Sequence, residues 1–209
     1  MKKITALILA ILMAVSLLAC NNDTSVDKGT DGAQQEAKLT RGTIAGNVYT
    51  TDYLGFSFEK PETWVYATDE EIAAALNLGV ETFLDDNFKE ALEKSGSIYD
   101  MMVTDTLTGA NVIVGYERLA FSNITEDQYF EAVKQQFQNI DGYTVDFPEE
   151  FETVTLGKNE FSKAVCVTTV YGSTITQVYY VRKVDQYMAF VITTIPTGYT
   201  VSDVEAMFR

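Results

Sequence analysis

The sequence predicts an α+β fold, an antiparallel β-sheet with helices packed on it. Two observations carry that expectation. The last third of the chain is a succession of long β-branched and aromatic runs, separated by turns of two or three residues, which reads as an antiparallel meander. The middle third holds stretches of helical periodicity, two of them opened by a threonine with an acid or amide three residues on, the form of a capping box.

The elements follow in order from Gly46. Val48-Tyr49-Thr50 and Gly55-Phe56-Ser57-Phe58-Glu59 read as two short strands around a turn at Asp52 to Leu54. Thr68 to Glu71 caps a helix over Asp69–Leu76. Gly79 interrupts it, and a second helix is expected over about Glu81–Lys94. Ile98–Asp105 and Asn111–Leu119 are strands joined through Thr108-Gly109. Thr125 to Gln128 caps a further helix to about Asn139, with Phe130, Val133 and Phe137 on its inner face. The meander consists of Glu152–Leu156, Phe161–Tyr171, Thr174–Lys183 and Gln186–Thr194. Apolar residues on both faces of its last two strands imply cover on both sides of the sheet. Ser202 to Glu205 reads as a last capped turn.

Ahead of this body lies a different kind of sequence. Lys2 and Lys3 precede an uncharged apolar run, Ile4–Ala19, which is 16 residues long and therefore shorter than a typical spanning helix. It ends in Leu17-Leu18-Ala19-Cys20, which resembles the lipobox of bacterial lipoproteins. The resemblance implies that residues 1–19 are a signal peptide, cut between Ala19 and Cys20, and that the Cys20 thiol carries a diacylglycerol. Two acyl chains suffice for stable attachment, so the expected location is the cell membrane, at its extracytoplasmic face. Residues 20–45 form the lipidated cysteine and a flexible linker. Asn21–Ala45 contains no aromatic residue and is rich in small polar ones, too little apolar surface to offset ordering entropy. A coil of this length spans roughly 25–30 Å. Residues 46–209 are expected to form one domain.

Within that body, Gly55-Phe56-Ser57-Phe58-Glu59-Lys60-Pro61-Glu62-Thr63-Trp64 resembles the opening of Mog1/PsbP-like domains, in which a glycine and an alternating apolar strand lead to a proline and a tryptophan. The order of elements that follows is similar too. The resemblance covers about residues 46–209, and points to the uncharacterised PsbP-like lipoproteins of Gram-positive bacteria. It implies an α/β/α sandwich and a binding or assembly module rather than an enzyme. It assigns no ligand residues.

Composition excludes several functions. The 209 residues carry 15 basic and 30 acidic side chains, a formal charge of -15 that argues against a nucleic-acid partner. Loss of Lys2 and Lys3 with the signal takes the basic count from 15 to 13 against 30 acids, a side-chain charge of -17, which anionic headgroups repel. No histidine is present, so the usual base near neutral pH, the commonest zinc ligand and every Ser-His-Asp or Cys-His arrangement are lacking. Two cysteines, Cys20 and Cys166, are too few for a disulfide scaffold. Cys166, in the apolar run Ala164–Thr168, reads as a small buried hydrophobe.

No catalytic, cofactor-binding or metal-ligating residues are assigned, and no cofactor is expected. The acidic stretch Asp69, Glu70, Glu71, Glu81, Asp85, Asp86 and Glu90 reads as a solvated face, with Asp85–Lys89 and Glu90–Lys94 four apart. It has no calcium-loop spacing. Glu149, Glu150 and Glu152 read the same way. Twelve tyrosines are an excess: Tyr171, Tyr179, Tyr180 and Tyr187 lie on neighbouring strands, and adjacent Tyr179 and Tyr180 point to opposite faces. Packing in the core or at a strand edge is the default reading, and an exposed face for sugars or peptides the alternative. Trp64 is expected to anchor the first hairpin to the helices. The function expected is that of a lipid-anchored, non-enzymatic module for an envelope protein, peptide or glycan. The alternative is a carboxylate-based hydrolase or metal-binding enzyme of the envelope, using acids of the Asp69–Glu90 helices.

Overall fold

The long β-branched runs of the C-terminal third build the centre of the molecule. In the computed structural model, which describes residues 39–83, 87–138, 140–170 and 172–209, they pair as antiparallel neighbours. The strands are Thr43–Ala45 (β1), Val48–Thr51 (β2), Phe56–Glu59 (β3), Trp64–Tyr66 (β4), Ser97–Asp105 (β5), Asn111–Arg118 (β6), Tyr143–Asp146 (β7), Glu152–Leu156 (β8), Asn159–Val170 (β9), Ser173–Val184 (β10) and Tyr187–Thr194 (β11). The helices are Asp69–Leu76 (α1), Phe88–Ser95 (α2), Glu126–Phe137 (α3) and Val201–Glu205 (α4). One sheet has the order β1-β2-β3. The larger has eight strands, β4-β5-β6-β11-β10-β9-β7, with β8 also on β9. Every pairing is antiparallel. The fold is therefore the α+β class expected from the sequence.

Side-chain alternation along the strands assigns the two faces of the large sheet. Tyr179 and Phe190 lie on one face, where α3 and the segment after β7 cover them. Phe137 of α3 and Phe147 both place rings against Tyr179, at 6.3 and 5.8 Å between centroids. Tyr116, Phe161 and Tyr180 lie on the other face. They meet Tyr53, Phe56 and Phe208 edge-on or tilted at 5.8, 6.1 and 6.4 Å, and Phe88 of α2 stands edge-on to Tyr116. The small sheet, α2 and the C-terminal segment thus form the second covering layer. Each fully buried ring of this kind contributes about 1.5–3 kcal/mol. Because both faces are covered, Tyr179 and Tyr180 are both buried, the core packing that was the default reading, and they form no exposed face. Tyr187 is buried as well, while Tyr171 lies outside the described residues.

The capping boxes form as read. Thr68 with Glu71 opens α1, and Thr125 with Gln128 opens α3. Phe130, Val133 and Phe137 are buried on the inner face of α3.

Other expectations are corrected. The body starts before Gly46: Leu39 is buried, Arg41 pairs with Asp69, and Thr43–Ala45 is a strand bonded to Val48–Thr50. The linker reading fails there because backbone pairing and one buried leucine suffice where aromatics are lacking. Residues 1–38, with the signal, Cys20 and the rest of the linker, lie outside the described residues. The helix expected over Glu81–Lys94 is two elements, a 3₁₀ turn at Val80–Phe83 and α2. The cap of α4 is Thr200 with Asp203, two residues before the one expected. Strands β1, β4 and β7 are additional. Trp64 sits on β4 opposite Asp105, and is buried. Among the described residues, no helix is long and apolar enough to cross a membrane.

Candidate ligand cleft and the buried carboxylates

Three carboxylates sit at inward positions of β5 and β6, and each is held differently. Asp100 lies at a bulge between Tyr99 and Met101 in β5 and is buried. It accepts from the Tyr49 hydroxyl at 2.7 Å, from the Tyr116 hydroxyl at 3.4 Å and from the Gly42 N–H at 3.0 Å to both oxygens. Arg41 Nε stands 3.7 Å away, and the same guanidinium grips Asp69 on α1 through two hydrogen bonds. Burial raises the Asp100 carboxyl from 3.8 to about 6, against the pull of these donors. Asp100 therefore ties the Leu39–Gly42 segment and the small sheet to the large one. Asp105 closes its own turn, accepting from the Leu107 N–H at 3.0 Å and the Thr108 hydroxyl at 2.7 Å. Both carboxylates are engaged in holding the backbone.

Glu117 differs because it lies beside open space. It is 4% exposed and accepts from the Tyr129 hydroxyl of α3 at 2.7 Å. Burial first, then the neighbouring Glu117 charge, hold the Tyr129 phenol well above its ordinary range, so it remains a proton donor. The two groups border a cleft of about 400 Å³ between the end of β6, the loop Leu119–Ile124 and the first turns of α3. Leu119, Phe121, Ile124 and Ala132 supply apolar walls, and Phe121 stands 55% exposed. Arg118 also borders the cleft. Strand alternation turns its side chain toward the opposite face, where it reaches Glu93 of α2 at 3.5 Å. Apolar walls with one or two convergent polar groups are the usual composition of a small-molecule site. A second hollow, wider and more polar, lies over β8–β10 and is bordered by Thr153, Thr155, Lys158 and Lys183. Lys183 is engaged there: its N–H donates to Glu126 and its ammonium to the Ser122 carbonyl.

The acids singled out from the sequence do not gather. Asp69 is paired with Arg41, Glu71 completes the cap of α1, and Glu90 pairs with Lys94 at 2.7 Å. Glu70 and Glu81 are exposed, while Asp85 and Asp86 lie outside the described residues. Glu149 and Glu150 are exposed, and Glu152 meets Lys163 at 2.8 Å. Among the described residues, no three His, Cys, Asp or Glu side chains converge as a metal site would require. Cys166 is buried on β9, and burial pushes its thiol up to about 12, as an inert core cysteine should be. Asp100 and Glu117 were missed in the sequence. Each is an acid at an inward position of a strand that was itself legible.

Fold and site together define an antiparallel α+β body with a mixed apolar and acidic cleft beside Glu117. No family model matches the chain, and no curated protein matches it. Among solved structures, the chain is similar to the solution structure of cyanobacterial PsbP (CyanoP) from Synechocystis sp. PCC 6803. Identity is 12% and the TM-score 0.46, with 87% of this chain and 97% of that one covered.

Proposed function

We propose that this protein is a non-enzymatic binding or assembly module, anchored at the extracytoplasmic face of the cell membrane by a diacylglycerol on Cys20. The anchor rests on the Lys2–Lys3 start, the apolar run and the Leu-Leu-Ala-Cys ending. One observation carries the binding reading: of the three buried carboxylates, two are engaged in backbone and cross-element hydrogen bonds, and the third, bonded to Tyr129, borders the apolar cleft. General acid–base hydrolysis needs a pair of groups across a reacting bond. A buried acid at the edge of an apolar cleft suits recognition. The partner is a soluble envelope protein, peptide or glycan.

The anchor is tested by mass spectrometry of membrane-extracted protein, which should show acyl mass on Cys20, and by Cys20→Ala, which should release the protein from the membrane. An unmodified Cys20 in the processed protein overturns it. The module reading is tested by crosslinking on intact cells, which should give a discrete adduct whose partner is then identified. Turnover of an envelope glycan or peptide by the purified protein would overturn it.

A further inference from the structure

We infer that the polar hollow over β8–β10 takes a sugar bearing an acidic group, a carboxylate or a phosphate, with that group at Lys158 and Arg182 and the sugar hydroxyls at Thr153, Thr155 and Ser162. The inference rests on the binding reading above and selects a glycan among its partners. The hollow exists because two long strands part. β9 and β10 are paired from Ser173 with Val170 to Val181 with Ser162, and no further. Beyond that point Glu160 and Phe161 pair with β8, and Arg182 and Lys183 with β11. The Lys183 N–H, left without β9, donates to Oε1 of Glu126 at 2.9 Å. The parted ends enclose about 730 Å³, within the roughly 300–1,000 Å³ of small-molecule sites.

Both cations stand on fixed backbone. The Lys158 N–H donates to the Gly55 carbonyl at 3.0 Å, and the Asn159 side chain to the Leu54 carbonyl at 2.9 Å, so the turn before β9 is pinned to the turn between β2 and β3. Arg182 is paired to β11 and lies near enough for its charge to act on Tyr53 of that same turn. The local sign then selects the ligand. Lys158, Arg182 and Lys183 border the hollow against Glu126 and Glu160, three positive charges to two negative, a local +1 in a chain of -15. Exposed charges more than about 8 Å away are largely screened at physiological ionic strength, so a bound group meets the local sign. Among the described residues, Lys158 and Arg182 enter no ion pair. A guanidinium fork matches carboxylate and phosphate oxygens. The hydroxyls share one face of the strands: Thr153 is directly opposite Ser162, and Thr155 lies two residues on. Each can donate and accept, as a sugar hydroxyl does. A neutral sugar leaves the cations unused and an inorganic anion leaves the hydroxyl row unused. An acidic sugar engages both.

The test is titration calorimetry of the full-length protein, extracted from its membranes in detergent, with trigalacturonate, its methyl ester, the glucosamine trimer and orthophosphate. Trigalacturonate should bind about tenfold more tightly than the ester, and the glucosamine trimer should bind least. Orthophosphate should bind about tenfold or more weakly than trigalacturonate. Lys158→Gln and Arg182→Gln should each bring acid and ester together, whereas Thr155→Val with Ser162→Ala should weaken both alike. Should Arg182→Gln fail to fold, Lys158→Gln, at an exposed turn position, still reads the charge preference. Equal binding of acid and ester overturns the acidic group, and orthophosphate as tight as trigalacturonate overturns the sugar. Trigalacturonate binding that both charge variants leave unchanged places the ligand elsewhere and overturns the site. No binding by any probe also overturns the inference, and the crosslinking experiment then judges the module reading separately.

Discussion

Tyr49 donates its hydroxyl to Oδ2 of Asp100 at 2.7 Å, joining β2 of the small sheet to the bulge in β5 of the large one. The pair is buried, and three further donors converge on the same carboxylate: the Gly42 N–H, the Tyr116 hydroxyl and, at longer range, Arg41. Despite them the carboxyl is held at about 6, because burial outweighs the donors. The folded protein therefore binds this proton more tightly than the unfolded chain does.

The sign of the pH dependence follows. A raised acid contributes most stability below its unfolded value, here 3.8, and loses that contribution as pH rises toward about 6. A shift of this size corresponds to roughly 2–3 kcal/mol. Asp69 and Glu90 are held low by Arg41 and Lys94, so they act in the opposite direction. They do so in wild type and variant alike. In urea unfolding across pH, the stability of Asp100→Asn relative to wild type should rise by roughly 2–3 kcal/mol from about pH 4 to 6.5, and be flat above. A difference independent of pH would sink this account.

Tyr49→Phe should act oppositely on the same group. Removing the hydroxyl takes away the first of the interactions that hold Asp100 down, so its carboxyl should titrate higher still. Leaving a buried acceptor short of a donor should cost about 1–3 kcal/mol near pH 7. A carbon-13 NMR titration of the Asp100 carboxyl reads the first effect and urea unfolding the second. A midpoint at or below the wild-type value would refute it.

These two residues also mark where the fold was legible in sequence and where it was not. The caps Thr68 and Thr125 are local signals: side chain and backbone partner lie three residues apart, so pattern alone specifies them. Strands β1, β4 and β7 have three or four residues each, too short for a period to emerge, and they form because a longer neighbour offers its edge. The candidate cleft needs Glu117 and Tyr129, from a strand and a helix 12 positions apart. Their meeting is tertiary. The one available signal was parity, since Glu117 follows Ile113 and Gly115 on the inward face of its strand.

Cys166 gives a direct probe of the meander. It is fully buried with its thiol raised to about 12, so thiolate is scarce and access is blocked. In the Cys20→Ala protein, a thiol-reactive dye at about pH 8 should leave the folded chain unlabelled and modify one site per chain in denaturant. Rapid native labelling would mean that β9 and β10 separate, or that this face is open.

Gly115 tests how closely β5 and β6 approach the helix-covered face. A Cβ added there would stand 2.4 Å from Cζ of Phe190 and 2.7 Å from the carbonyl oxygen of Ile98. The first atom belongs to a ring already packed edge-on to Tyr99 at 6.0 Å, so it has little room to swing. The second is backbone in the neighbouring strand, which moves only if the pairing of Ile98 with Tyr116 shifts. Overpacking of this kind costs about 1–3 kcal/mol, and Gly115→Ala should lower the urea midpoint accordingly. Phe190→Leu, which shortens the side chain, relieves the first contact and not the second. The double variant should therefore be more stable than the two single losses added together, yet remain below Phe190→Leu alone. Strict additivity would mean that the ring is not the obstacle, and an unaffected Gly115→Ala would mean that β5 lies further from Gly115 than described.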